Sequence, residues 1–575
     1  MNPIGAPLSP MDRSHLPVPE QRVRLERLSV AVQVLLATIL CAPVLFNLGV
    51  AIPGRPGLAD LPGTVNYHWL VQTMGLSGAA SSSMLMYPTA VDRIVIDGFP
   101  LDALVSAPLT AVFGWPAGFS LFVWLSFCAL GLAHAWMAKT WWKSEHAAVI
   151  GGVVAQCSPF LIREVMDGRP TQLFGAIFMP LALTFLLRGV MLSRPRDSAL
   201  AGAMIGLGAL SYWYYGVFFG LAALVILGLA AWSQRPVGRA TASLALGTLA
   251  VIGLPAAYTL QAVSVMPGLA TDWSDQVLHG SEWITLLQIL EFRDLGTAVA
   301  LERVIAIQVL AGLCVVAAWW RAPRAKWLAP SVFGLMALLF AAGPSISLPG
   351  LPPIPGPFHL FRLSDITSRL WWPDRALVMM VPAVSLLAAG GVMMLVRRAS
   401  VGVRETVWVV GIAVALVAEA FVAIPGLPMP TSWGAETEAS AALSEGEGPV
   451  LIVPMGHGES EPDMRMLIDQ VHHGRPLVNG PMVPGSSAAP QNFRDFAEAP
   501  AIQALLACEN DAAPGVTSEA WAQLIAHGIV TVVLDPRRAA GLRSGAERFE
   551  TCIRRIMGPP AKTAGPYRLY SVPGS

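Results

Sequence analysis

The sequence predicts an α-helical polytopic membrane protein of about eleven spans that ends in a soluble α/β domain. Three observations carry that expectation. Hydrophobic residues make up 54% of the chain and charged residues 13%, with a mean hydropathy of +0.58, whereas soluble globular chains carry about 25% charged residues. Apolar runs long enough to cross a bilayer alternate with two kinds of connection, and every second connection is short and carries Lys or Arg. Beyond Pro430 the apolar runs shorten to strand length and polarity rises. Lys+Arg and Asp+Glu both number 37, so no global basic field exists to attract nucleic acid.

The elements follow in order. Residues 1–27 form a cytoplasmic segment in which Arg22, Arg24 and Arg27 precede the apolar run 28–50. That run exceeds the roughly 7–15 residue core of a cleaved signal peptide, so it reads as a first retained helix. Residues 51–100 form a long polar outer loop, and 101–113 a short apolar helix, half-inserted or at the membrane surface. Spans at 117–137 and 146–160 flank an inner loop with Lys139 and Lys143. The outer loop LIREVMDGRPTQ leads to a span at 173–187, then to Arg188, Arg194 and Arg196 on the inside. Spans at 200–210 and 216–232 hinge at SYWYYG, and Arg235 with Arg239 marks the cytoplasm again. A span at 240–260 opens the outer segment 261–302, and one at 304–320 returns to Arg321, Arg324 and Lys326. A span at 328–342 exits into the Pro-rich outer segment 344–375. Spans at 376–396 and 407–424 enclose Arg397, Arg398 and Arg404, leaving 429–575 outside. Short loops rich in Lys and Arg stay in the cytoplasm, so the whole register agrees with an N-terminus inside.

The membrane domain therefore covers 28–428, and the tail 429–575 is a domain of ordinary size. In the tail, PVLIVP and IVTVVL read as buried strands. SEAWAQLIAHG reads as an amphipathic helix capped by Ser518 and closed by Gly528. Cys41, Cys128, Cys157 and Cys314 fall in apolar runs, whereas Cys508 and Cys552 fall in the tail, where an oxidising compartment permits a disulfide.

Polar irregular backbone at membrane level needs burial in protein or a water-filled cavity. The outer connections thus imply a cavity roofed by loops and tail. Asp60, just beyond the first helix, is the candidate general base, with His68 as a second catalytic group and Tyr67 and Trp69 as substrate contacts. Glu164 and Asp167 sit three residues apart and share a face if helical. Such oxygen ligands suit Mg²⁺ or Mn²⁺, while Arg163 and Arg169 suit phosphate; a local ion-pair cluster is the competing explanation. Asp92, Arg93, Asp97 and Asp102 form a third group. Arg362, Asp365, Arg369, Trp371, Trp372 and Arg375 form a fourth, whose arginines suit an anionic headgroup. Asp272, Trp273, Asp275, His279, Glu282 and Trp283 mix acidic and aromatic side chains as carbohydrate sites do. His472-His473 and Gly456-His457-Gly458 read as structural or surface features.

At these residues the chain resembles the GT-C superfamily of polytopic glycosyltransferases, which use polyprenyl-phosphate-linked sugars. It looks most like divergent bacterial members with a periplasmic α/β domain, a group that shades into YfhO-like envelope proteins. The likeness rests on the acidic first outer loop, on REVMDGRPTQ followed by PLALTFLLR, on WWPDR before a late helix, and on the exported tail. It implies an acidic first-loop base at Asp60 and metal-positioning acids at Glu164 and Asp167. The chain departs from the common pattern in having no paired acidic motif directly after its first helix. The resulting expectation is an inner-membrane transferase that moves a sugar from a polyprenyl-phosphate carrier to an envelope glycan, lipid or protein acceptor. Its rivals are a lipid-linked substrate transporter or flippase, for which Glu419 and His134 are the intramembrane ionisable residues, and a non-catalytic envelope-assembly protein.

Overall fold

A computed structural model describes residues 19–56, 60–264, 309–346, 354–363, 370, 372–399, 403–424, 426–455, 465–479, 491–510, 512, 515–540, 542 and 544–575. The chain divides into two compact units. One comprises Met1–Leu48 and Ala117–Thr431, and the other Gly49–Pro116 and Ser432–Ser575.

The first unit is helical, and the protein is a multi-pass membrane protein. Seven helices among the described residues are long and apolar enough to cross a membrane: Ala117–Trp142, Glu145–Met166, Pro170–Met191, Trp213–Trp232, Gly238–Gln261, Pro373–Val396 and Arg404–Ala423. Val309–Arg321 and Lys326–Ala341 are shorter apolar helices of the same unit. The first helix runs Pro19–Leu40 and stops short of the expected position 50, because Pro43 cannot continue an i to i−4 ladder. The Leu40 carbonyl instead accepts from Met429 N at 2.8 Å. The expected span 146–160 breaks after Gln156 and restarts at Pro159.

Small residues let helices touch. A Cβ added to Gly202 would lie 2.0 Å from the Leu244 carbonyl oxygen, and one added to Gly247 would lie 2.0 Å from that of Ala199. The Pro195–Ser211 and Gly238–Ser264 helices therefore meet backbone to backbone, the usual device for helix association where water is absent.

The second unit is α/β. Its sheet has four strands in the order Val450–Val453, Thr531–Leu534, Tyr567–Ser571, Lys562–Ala564. The first pair is parallel, with Val450 opposite Thr531, and the other pairs are antiparallel. All four residues of VLIV are buried. Leu451 and Val453 join Trp521, Leu524, Phe549 and Ile553 on one face. Val450 and Ile452 join Met466, Leu467 and Val533 on the other. A strand covered on both faces reads as a continuous apolar run, as this one does. The helix Ser518–Ala526 is capped by Thr517, whose side chain accepts from Ala520 N, rather than by Ser518. Gly528 takes a φ of +72 just past its end, where glycine avoids the Cβ penalty. Cys508 and Cys552 form a disulfide.

Residues 49–116 belong to this unit, where the sequence expectation set 51–100 as a loop of the membrane domain. Leu85, Met86 and Val91 complete one of the sheet's two apolar layers. Met86 N donates to Asn479 O at 3.1 Å, and Leu477 N to Met84 O at 2.8 Å. Asn66, 1% exposed, donates to Gln470 Oε1 at 2.7 Å and Leu467 O at 3.2 Å. Buried apolar side chains contribute roughly 1.5–3 kcal/mol each, so these three offset part of the entropy of ordering the segment.

Candidate functional site

In the helical unit the connection after the third expected span becomes two short helices, Pro159–Met166 and Pro170–Ala176. Each begins with proline at its first position, where the missing N–H costs nothing. The tight turn between them uses Gly168 at a φ of +86. This turn draws Arg169 N back onto the Glu164 carbonyl at 2.8 Å and folds its side chain over the same residue.

The result is a charged cluster with Glu164 at its centre. Glu164 is 0% exposed. One of its carboxylate oxygens accepts from Arg169 Nε at 2.5 Å, and the other from Arg375 Nη1. Arg375, 1% exposed, arrives from the start of the 3₁₀ turn Pro373–Met379. Its guanidinium lies 4.4 Å from the Trp372 ring centroid, and that of Arg169 lies 5.6 Å from the same ring. Asp167 bridges Arg163 Nε at 3.3 Å and Arg169 Nη2 at 3.0 Å. A buried ion pair holds only when both partners are present and further bonded, which is the arrangement here. Arg375 is thus locked in place, while the Arg163 and Arg169 side chains keep 24% and 16% of their surface accessible.

Against the cluster's elements, SYWYYG contributes an aromatic group in which Tyr212 stacks on Tyr214 and meets Tyr215 edge to face. Tyr215 OH donates to Gln172 Oε1 at 3.3 Å. The sequence offers Arg163, Glu164, Asp167 and Arg169 in one loop and Arg375 in another, with the three arginines expected around one carrier phosphate; the fold joins Arg169 and Arg375 through Glu164.

Among the described residues no group of three or more His, Cys, Asp or Glu side chains is arranged to hold a metal ion, and Glu164 and Asp167 pair with guanidinium groups. Every carboxylate contact described above is to a guanidinium, and a divalent ion would have to displace arginine against the repulsion of three positive groups. The donor set suits an anion. Arg369, Asp365 and Trp371 lie outside the described residues, as do the 261–302 group from Asp272 to Trp283 and Gly456-His457-Gly458.

Glu419, expected as an intramembrane ionisable residue, accepts the backbone N–H of Leu310 through both oxygens, at 3.1 and 3.0 Å. It caps a helix start, where four N–H groups need acceptors.

In the α/β unit, Asp60 opens the helix Asp60–Ala80 and is exposed. An aspartate in the first turn faces the positive end of the helix dipole. The next group reads differently from its sequence expectation. His68 is 1% exposed, with Nε2 2.8 Å from Asp102 Oδ2 and Nδ1 3.2 Å from Ser106 Oγ. The connectivity is that of a hydrolytic triad, but Ser106 is 0% exposed and its hydroxyl donates to Ala103 O at 3.1 Å. No substrate reaches it; the trio ties the Asp60–Ala80 helix to Leu101–Phe113. Tyr67 is buried too and donates to Gly98 O at 2.6 Å. Trp69 packs half-buried beside it. Arg93, 1% exposed, bonds Asp97 and reaches Asn66 Oδ1 at 3.4 Å. His68, Tyr67 and Arg93 are therefore interior residues of this unit.

No protein-family model matches the chain, and a search of curated proteins finds no match. Solved structures do match in fold. The oligosaccharyltransferase AglB of Archaeoglobus fulgidus, solved with an inhibitory peptide and a dolichol-phosphate, is 12% identical with a TM-score of 0.50, covering 92% of this chain and 72% of its own. ArnT of Cupriavidus metallidurans bound to undecaprenyl phosphate is 11% identical with a TM-score of 0.51, covering 97% and 99%. The arabinofuranosyltransferase AftD from mycobacteria is 17% identical with a TM-score of 0.53, covering 89% of this chain and 36% of its own. These neighbours are GT-C glycosyltransferases, and the fold of this chain is GT-C-like.

Proposed function

Starting from that fold, we propose that this protein is a membrane glycosyltransferase that moves a sugar from a polyprenyl-phosphate carrier to an acceptor on the outer face. The observation that carries the reading is the Glu164 cluster. A fully buried carboxylate fixes two arginines, and a second carboxylate fixes a third, on a turn between helices of a membrane unit. Guanidinium groups held in this way are preorganised for phosphate oxygens. Arg163 and Arg169 receive the carrier's phosphate, and Arg375 with Trp372 holds Arg169 in position. The Cys508–Cys552 disulfide supports an exported tail and, with the basic inner loops, an N-terminus in the cytoplasm of a bacterial inner membrane.

The candidate base, from the sequence alone, is Asp60. It takes the proton of the acceptor hydroxyl as that oxygen bonds to the anomeric carbon, and the bond from that carbon to the carrier phosphate breaks. General-base catalysis contributes typically 10²–10⁴-fold. Asp60→Asn therefore lowers turnover by about that factor while leaving folding intact. The assay offers purified protein in lipid a panel of polyprenyl-phosphate sugars and scores transfer and hydrolysis. Full activity of the Asp60→Asn variant removes Asp60 from the mechanism. Exhaustive chelation is a separate arm: loss of turnover there would return Glu164 and Asp167 to the ligands of a divalent ion. The transporter alternative loses its main residue, since Glu419 serves as a helix cap.

A further inference from the structure

The α/β unit contains a pocket of about 460 Å³ that the transfer chemistry above does not use. Its walls include Arg55, Trp433, Glu438, Arg465, Arg537 and Tyr567. Three guanidinium groups face one carboxylate, so the lining is cationic. Two of the arginines are braced from behind. Arg537 Nε lies 3.2 Å from Asp535 Oδ1, and its guanidinium carbon 4.9 Å from the Tyr567 ring centroid. Arg465 Nε lies 3.8 Å from Asp469 Oδ1. Asp469, itself 4% exposed, also accepts from Tyr567 OH at 3.0 Å and from Thr437 Oγ1 at 3.1 Å. One buried carboxylate thereby fixes an arginine, a tyrosine and a threonine of a single wall.

We infer that this pocket binds an anionic sugar residue of a glycan, its carboxylate or phosphate on the arginines and its ring against the Trp433 face. Arginine matches planar carboxylate and phosphate oxygens bidentately, and an aromatic ring offers flat apolar surface to the carbon skeleton of a sugar. Trp433 is 53% exposed and the Arg537 side chain 45% exposed, so both are available to a ligand. The volume suits a ligand of small-molecule size. Polar and apolar wall together argue against an acyl chain, which needs continuous apolar lining. The inference concerns binding alone and stands whether or not the transfer reading holds.

The test uses the full chain in lipid nanodiscs and isothermal titration with glucuronic acid, glucose 6-phosphate, glucose and inorganic phosphate. Glucuronic acid or glucose 6-phosphate binds, and both glucose and inorganic phosphate bind at least about 10-fold more weakly, as the loss of a charge-assisted bond predicts. Arg537→Gln and Trp433→Ala, both at exposed side chains, each weaken binding by about 10-fold with unchanged thermal unfolding. Glucose binding as tightly as glucuronic acid overturns the anionic part, and phosphate binding as tightly as glucose 6-phosphate overturns the sugar part. Failure of both anionic sugars to bind, or affinity unmoved in both variants, overturns the site.

Discussion

Removing the charge of Glu164 while keeping its shape tests the centre of the candidate site. In Glu164→Gln, Arg169 keeps Asp167 at 3.0 Å, but Arg375 is left with Asp374 at 3.9 Å as its nearest carboxylate. The Arg375 and Glu164 side chains are 2% and 1% exposed, so water cannot replace the lost partner. Breaking one side of such a pair costs about 3–5 kcal/mol. Arg375→Met leaves Glu164 paired with Arg169 and so costs less. The double variant removes both buried charges, and the two changes couple favourably by roughly 1–3 kcal/mol. The assay is the unfolding free energy of the four proteins in detergent, measured under reversible conditions as a double-mutant cycle. An Asp167→Asn control, at a side chain 16% exposed, loses less than Glu164→Gln because water screens it. If Glu164→Gln unfolds within about 0.5 kcal/mol of the parent, or the cycle shows no coupling, the buried pair does not organise this site.

The remaining predictions concern the α/β unit. Asn66→Leu leaves Gln470 Oε1 and Leu467 O without this donor and costs about 2–4 kcal/mol, seen as faster proteolysis of residues 49–116; unchanged protease resistance would sink the assignment of that segment to the tail. His473, 7% exposed, accepts from Arg475 N through Nδ1 at 3.0 Å. Burial first, then the charges of Arg475 and His472, holds its pKa down to about 3. Its folded value is depressed, so its contribution is complete above an unfolded pKa near 6.5 and is lost as pH falls toward 3. The loss is about 2–3 kcal/mol by pH 4.5, and it disappears in His473→Gln; a parent protein whose unit unfolds equally at pH 7 and 4.5 would contradict the burial argument.

What the sequence revealed depended on distance along the chain. Spans were legible because membrane solvation demands long apolar runs. VLIV and TVVL were legible because a doubly covered strand is apolar throughout. Boundaries were less so: Pro43 stops the first helix early, and Thr517 rather than Ser518 takes the cap because only its backbone is extended there. Contacts between distant segments left no local mark. Arg375 reaches Glu164 across 211 positions, and Asn66 reaches Gln470 across 404. Composition made both ends of the first pair visible as candidates, yet nothing in either segment named its partner. Interior polar residues were misread for the same reason. His68 and Tyr67 look like site residues until Asp102, Ser106 and Gly98 are seen to occupy them.

Because Leu85, Met86 and Val91 pack into an apolar layer with a sheet whose strands begin some 360 residues later at Val450, the α/β unit is split in sequence by Ala117–Thr431 of the helical unit. Ribosomes deliver its first piece early and its second piece only after Ala117–Thr431 has been made. During that interval an unfinished apolar layer waits uncovered, open to proteases and chaperones. Expressing the terminal part alone would reproduce the unfinished state, so a soluble version has to graft 49–116 back onto 432–575.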